Sequence, residues 1–200
     1  MKKITLLLTG ILLIALIPLI SSCNNEDDVV EIFTGKTWKM SRLTDHGKNP
    51  PQFYQGIWKT ETEKMKSMEL LNKEGNFQVT FEGSEVNGEV NGTQIKIQGV
   101  GSTATGTWQA NGKDNTVRIQ IKNVRGTETD PLAKAFMAAI RKVFSYEGDI
   151  NQLTLFYQED NQITRKIGFV NNKTARYGLR KQRKTRDTGQ TLHTNGQYLG

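Results

Sequence analysis

The chain has 200 residues, 36% hydrophobic and 24% charged, with a formal net charge of +7 and a single cysteine. One thiol excludes a disulfide framework, so stability has to come from a packed core, and the length suits one domain behind an N-terminal signal. The positive charge is local: positions 23–172 hold 18 basic and 19 acidic residues, positions 173–200 seven basic and one acidic, which excludes a body built as a basic nucleic-acid binder.

Lys2 and Lys3 open the chain, an apolar run fills 4–20, and Ile20-Ser21-Ser22-Cys23 closes it. A charged start, a short apolar core and small residues before a cut make a secretory signal. The run includes Pro18 and falls short of the roughly 20 apolar residues of a permanent helical span. The closing tetrapeptide resembles the lipobox of bacterial lipoproteins, whose cysteine is acylated and becomes the first mature residue. That resemblance implies lipidation at Cys23, durable anchoring by more than one acyl chain, and a place at the outer membrane of a cell envelope. Asn24-Asn25-Glu26-Asp27-Asp28 follows. It resembles the surface-export signal of Bacteroidetes lipoproteins, and its polarity also reads as a solvated tether. The zones are a signal at 1–22, an acidic tether at 23–32, a body at 33–172 and a basic tail at 173–200 whose composition reads as disordered.

The body reads as β. Trp38 and Met40 lie two apart within 37–43; Phe77, Val79 and Phe81 alternate with polar residues in 76–82; Ile95 and Ile97 flank Lys96. Val117, Ile119 and Ile121 form another alternating row, as do Leu153, Leu155 and Tyr157, with a looser one through Ile163, Ile167 and Phe169. Such alternation marks half-buried strands. Asn72-Lys73-Glu74-Gly75, Asn91-Gly92 and Asn111-Gly112 supply turn residues. The expected fold is mostly β with one amphipathic helix, an antiparallel meander forming a small open or cracked barrel. That helix starts at Asp130-Pro131, carries Leu132, Phe136, Ala139, Ile140 and Val143 on one stripe, and ends before Gly148. Residues 57–66 read as a second, short helix.

Gly35-Lys36-Thr37-Trp38-Lys39-Met40, the helix with Phe136-Met137-Ala138-Ala139-Ile140, then Tyr146 and Gly148-Asp149-Ile150-Asn151-Gln152-Leu153-Thr154-Leu155 resemble META domains, the HslJ-like lipoproteins. The opening Trp is shared with lipocalin-like lipoproteins. The resemblance covers about half of the body and implies a small barrel with one helix and no agreed catalytic activity.

Chemistry is sparse. His46 and His193 lack neighbours at ligand spacing, so neither a metal site nor a Ser–His–carboxylate set is indicated. The pairs Glu61/Glu63, Glu82/Glu85 and Glu159/Asp160 do not by sequence establish the two carboxyls facing across a cleft that a glycosidase needs. Glu159-Asp160 reads as a hairpin loop, and Gly99-Val100-Gly101-Ser102 lacks the context of a phosphate loop. No enzyme and no cofactor are expected. The candidates are for binding. Trp38, Trp58 and Trp108, with Phe77, Phe81 and Tyr157, either line a cavity for a small amphipathic ligand or fill the core. Arg176, Arg180, Lys181, Arg183, Lys184 and Arg186 suit a polyanion such as an anionic envelope surface rather than nucleic acid. The expected partners are the membrane, through Cys23, and a protein or amphipathic ligand. The alternative is an envelope assembly factor that docks by its basic tail.

Overall fold

The computed structural model describes residues 28–86 and 89–172. The signal, Cys23 and the basic tail, with the six arginines and lysines named above as polyanion candidates, lie outside the described residues.

Eight antiparallel strands follow one another around a ring: β1 (Thr37–Asp45), β2 (Gln78–Val86), β3 (Glu89–Gln98), β4 (Ser102–Asn111), β5 (Thr116–Gly126), β6 (Val143–Gly148), β7 (Gln152–Gln158) and β8 (Thr164–Asn171). The last strand closes on the first from Trp38↔Asn171 to Asp45↔Arg165. The ring is thinnest at β5–β6, where one pair, Thr116↔Ser145, holds the register, and at β1–β2, with three pairs. Most of the alternating rows read from sequence are its inward faces: Phe77, Val79, Phe81, Ile95, Ile97, Val117, Ile119, Leu153, Leu155, Ile167 and Phe169 are all buried. Ile163, expected at the head of the last row, instead lies just before β8 and is exposed. Apolar surface removed from water is worth about 25 cal/mol per Å², so this shared core outweighs any single polar contact.

The described residues also form three helices: α1 (Asp28–Phe33), α2 (Glu61–Asn72) and α3 (Pro131–Ala139). Residues 28–32, expected in the tether, form α1, which buries Val29, Ile32 and Phe33. Its apolar residues are too few to show a period, and burial rather than propensity sets the helix. α2 starts at Thr60, whose hydroxyl accepts from the Glu63 N–H at 3.1 Å, while the Glu63 carboxylate accepts from the Lys59 and Thr60 N–H groups. That capping box satisfies donors the helix itself leaves bare.

The α3 helix starts as expected, with Asp130 accepting from the Ala133 N–H at 2.9 Å and Pro131 in the first turn, but it ends at Ala139. A 3-10 turn, Ile140–Lys142, follows, and Val143–Gly148 is strand β6 rather than more helix. Val143 and Tyr146 stay inward by pairing with β7. The Asn91-Gly92 turn is also displaced. Asn91 pairs with Ser84 inside β3, and the β2–β3 ladder extends beyond it to Val86↔Glu89. That register sets Phe81 against Ile95 and Val79 against Ile97, keeping both rows inward.

The register sorts the connections by end. Residues 34–37, the 148–152 turn and Asn171 share one end with α1. Residues 46–60, 73–77, 99–101, 127–130 and 159–163 share the other with α2 and α3.

Candidate binding surface

Inside the ring, the aromatic side chains that sequence offers as a cavity lining are buried and pack on one another. Phe33 enters from α1 and stacks on Trp108 at 4.9 Å, with edge contacts to Phe81 and Tyr146. From the opposite end Phe136 meets Phe77 and Phe169. Trp38, Trp108, Phe77, Phe81 and Tyr157 are all fully buried. Both buried indoles spend their N–H on carbonyls, Trp38 on Phe33 at 3.3 Å and Trp108 on Glu82 at 3.0 Å. These two candidates belong to the core.

Trp58 is different. It is half-buried at the end away from α1, edge-on to Phe53, and its indole N–H donates to Ser67 Oγ at 2.8 Å. Ser67 in turn donates to the buried Asp130 carboxylate at 2.6 Å, the same group that caps α3. This relay ties the 46–60 loop to α2 and α3, and each member satisfies a polar group that burial would otherwise penalise.

Beside it lies a charged network. Arg165 on β8 donates to Asp45 at 2.8 Å and to Glu159 at 3.1 Å, with its guanidinium 3.8 Å from the centre of the Tyr54 ring. Lys142 joins Glu159 and Asp160. The 46–60 loop is strapped along β1 by Leu43 N–H to Gln52, Tyr54 N–H to Leu43, and Thr44 hydroxyl to Pro51. Burial raises the phenol pKa of both Tyr54 and Tyr157. The Tyr157 hydroxyl is buried and has no hydrogen-bond partner among the described residues. Neither phenol is poised as an acid or base near neutral pH. His46 sits here too, edge-on to Phe156; His193 is outside the described residues. Among the described residues no group of three or more His, Cys, Asp or Glu side chains is gathered as a metal would need.

The Gly-rich stretch turns out to be a nest for an internal anion. Glu128 accepts from the N–H groups of Val100, Gly101 and Ser102 at 3.0, 2.9 and 2.9 Å and from the Ser102 hydroxyl at 2.7 Å. Successive backbone N–H groups in such a turn form an anion-binding concavity. Glycine is required at position 99, where a Cβ would lie 1.9 Å from Glu128 Oε1. The loop was legible as unusual. Its carboxylate, 26–28 residues along the chain, was not.

Another feature missed in sequence is Lys39, almost wholly buried, which donates to the carbonyls of Lys73 at 2.9 Å and Asn76 at 2.5 Å. Desolvation lowers its pKa to about 8, against a smaller opposing pull from Glu74. Its amine closes the 73–76 turn, immediately before Phe77 at a positive φ of 52°. With its face covered and both carbonyls satisfied, it reads as a buried cap.

The sequence model of a family described as a domain of unknown function, DUF4847, matches residues 24–171. A crystal structure of a DUF4847 family protein from Bacteroides vulgatus ATCC 8482, at 1.00 Å resolution, is similar at a TM-score of 0.54 and 24% identity, covering 71% of this chain and 96% of that one. At that identity the likeness concerns the fold. No curated protein matches the chain. The resemblance to META-domain (HslJ-like) and lipocalin-like lipoproteins is thereby overturned by the DUF4847 match. The motifs that carried it, a Trp on β1 and alternating leucines on β7, describe hairpins of a small ring and recur wherever such strands pack.

Proposed function

The chain belongs to the DUF4847 family, and on that premise we propose that it is a non-enzymatic binding module of the cell envelope, lipid-anchored at Cys23 and working with its outer surface. The carrying observation is the filled ring: Phe33, Trp108, Phe81 and Phe136 occupy the space an enclosed amphipathic ligand would need. α1 begins five positions after Cys23, a reach of at most about 18 Å for extended chain. A lipidated Cys23 would hold the α1 end against the membrane. The loop 46–60, Trp58, Tyr54 and the Arg165 network would then face outward. Two measurements test this. Globomycin should block processing of the precursor and radiolabelled palmitate should mark the protein; native mass spectrometry after gentle extraction from its own host should show a bound partner. Unblocked processing, or bare protein in every extraction, overturns the reading.

A second reading, an assembly factor that docks by its basic tail, draws on the same geometry. Asn171 leaves β8 beside Trp38 at the α1 end, so Arg176, Arg180, Lys181, Arg183, Lys184 and Arg186 follow from the side where the anchor would sit. Anionic headgroups attract such residues by about 1 kcal/mol each near the surface. Changing all six to Gln should weaken binding to anionic vesicles in a salt-dependent way; unchanged binding removes this reading.

A further inference from the structure

The outer face of β1 to β5 carries two shallow grooves that meet at Lys96. One cross-strand row runs Thr37, Thr80, Lys96, Thr105, Asn123, and the next runs Lys39, Gln78, Gln98, Thr103, Arg125. A chain laid along the first row crosses a new side chain at each strand spacing of about 4.8 Å, the scale of one sugar ring.

The face is built rather than incidental. In β5 the inward residues are Val117, Ile119 and Ile121, so strict alternation would turn Asn123 and Arg125 inward as well. Instead the register shifts: Thr105 pairs with Asn123 and Gly106 with Ile121, leaving Lys122 as an extra residue. This bulge re-aims Asn123 and Arg125 onto the outer face, the use to which bulges are put beside functional surfaces. Cross-strand hydrogen bonds hold the polar groups in place, Thr37 to Thr80 at 3.2 Å and Thr103 to Gln98 at 2.9 Å.

Composition chooses the occupant. The side chains lining the grooves are hydroxyls and amides with Val124, and the charged ones are Lys96 and Arg125, both cationic. Lys39 is turned away into its turn, and Glu82 begins the next row, opposite Gln94. Among the described residues no aromatic side chain lines either groove, which argues against single-stranded nucleic acid, whose bases need stacking platforms. Many fixed hydrogen-bonding groups with two cations match a polyhydroxylated chain bearing carboxylates. We propose that this face binds an acidic polysaccharide, laid across β1 to β5 with an anionic group at Lys96 and another at Arg125. The proposal rests on the reading of the domain as a module that binds with its outside.

The test is isothermal titration of the full mature chain with polygalacturonate, dextran and poly-L-glutamate at low salt. Lys96→Gln with Arg125→Gln should weaken polygalacturonate binding about tenfold, the loss of two charge contacts, with an unchanged melting temperature because both residues are exposed. The tail variant with six Gln substitutions should retain groove binding. The proposal is overturned if the double variant binds as tightly as the parent, if the tail variant alone abolishes binding, or if dextran or poly-L-glutamate binds equally well. Failure here alongside a partner still seen by native mass spectrometry would discard this face and leave the binding-module reading standing.

Discussion

Glu128→Ala isolates the worth of the internal nest. The substitution removes a carboxylate that accepts from three N–H groups and one hydroxyl. Hydrogen bonds to charged groups contribute roughly 1.5–3 kcal/mol each, but they do not add, and water can reach some of the freed donors. A net loss of about 3 kcal/mol follows. Glu128→Gln should cost only about 1 kcal/mol, since Oε1 already takes three of the four donors and the amide nitrogen would face Gly101 alone. Gly99→Ala provides the cross-check. Its Cβ would collide with the Glu128 carboxylate at 1.9 Å, the next neighbour being the Ser102 carbonyl at 3.3 Å, so it should expel the carboxylate and cost about as much as Glu128→Ala. In the Glu128→Ala background the same change should cost under about 0.5 kcal/mol, giving a large coupling energy in a double-mutant cycle. Urea unfolding with a common slope reads all four proteins, and a 3 kcal/mol loss moves the midpoint by about 1–3 M. Additive single and double effects would refute the nest as the reason for glycine at 99.

Three further outcomes follow from the same contacts. Phe33→Ala should destabilise by about 3–5 kcal/mol in urea unfolding, since it empties the space against Trp108, Phe81 and Tyr146; a loss under about 1 kcal/mol would show α1 to be peripheral. Ser67→Ala breaks the relay between Trp58 and Asp130 and should cost about 1–3 kcal/mol, while adding Trp58→Phe to it should cost little more, as a thermal melt would show. Lys39 has a folded pKa near 8, below its unfolded value of 10.5. The unfolded state therefore binds more protons between these values, and stability should rise as pH increases from about 8 to 10.5 and fall on the way back. Lys39→Met should remove that rise, measured as the difference in urea midpoint between pH 7.5 and 10; an identical rise in both proteins would contradict the assigned shift.

Alternation made β2, β3 and β5 readable, because each turns an apolar row inward and polar residues to water. β7 and β8 showed their inward rows too, β8 more loosely, although Phe156 and Gly168 are buried on the opposite faces. β4 was unreadable for a physical reason: its inward residues are Ala104, Gly106 and Trp108, small where the sheet curves, so no apolar row advertises it. β6 was taken for helix because Val143 falls on the α3 stripe as well as on the strand's inward face, and a short apolar run does not distinguish the two periods. The capping signals of α3, being local, were read correctly at Asp130 and Pro131. The long-range contacts and the proposed binding face were scarcely visible. Arg165 meets Asp45 across 120 positions and Glu128 reaches a loop 26–28 positions back. The outward turn of Asn123 and Arg125 depends on one unpaired residue in β5. Such relations are made by register, which no single segment carries.

The ladder between β1 and β8 joins the first strand of the body to the last. Loop-closure entropy for such distant partners has to be met before their contacts reward it. A growing or partly threaded polypeptide lacking 164–171 therefore has two raw borders, β1 and β7, each a template for stray pairing with another copy. Completion of the final eight-residue strand seals both at once. The described ring is accordingly completed only when β8 is in place, and damage to that strand should surface as clumping.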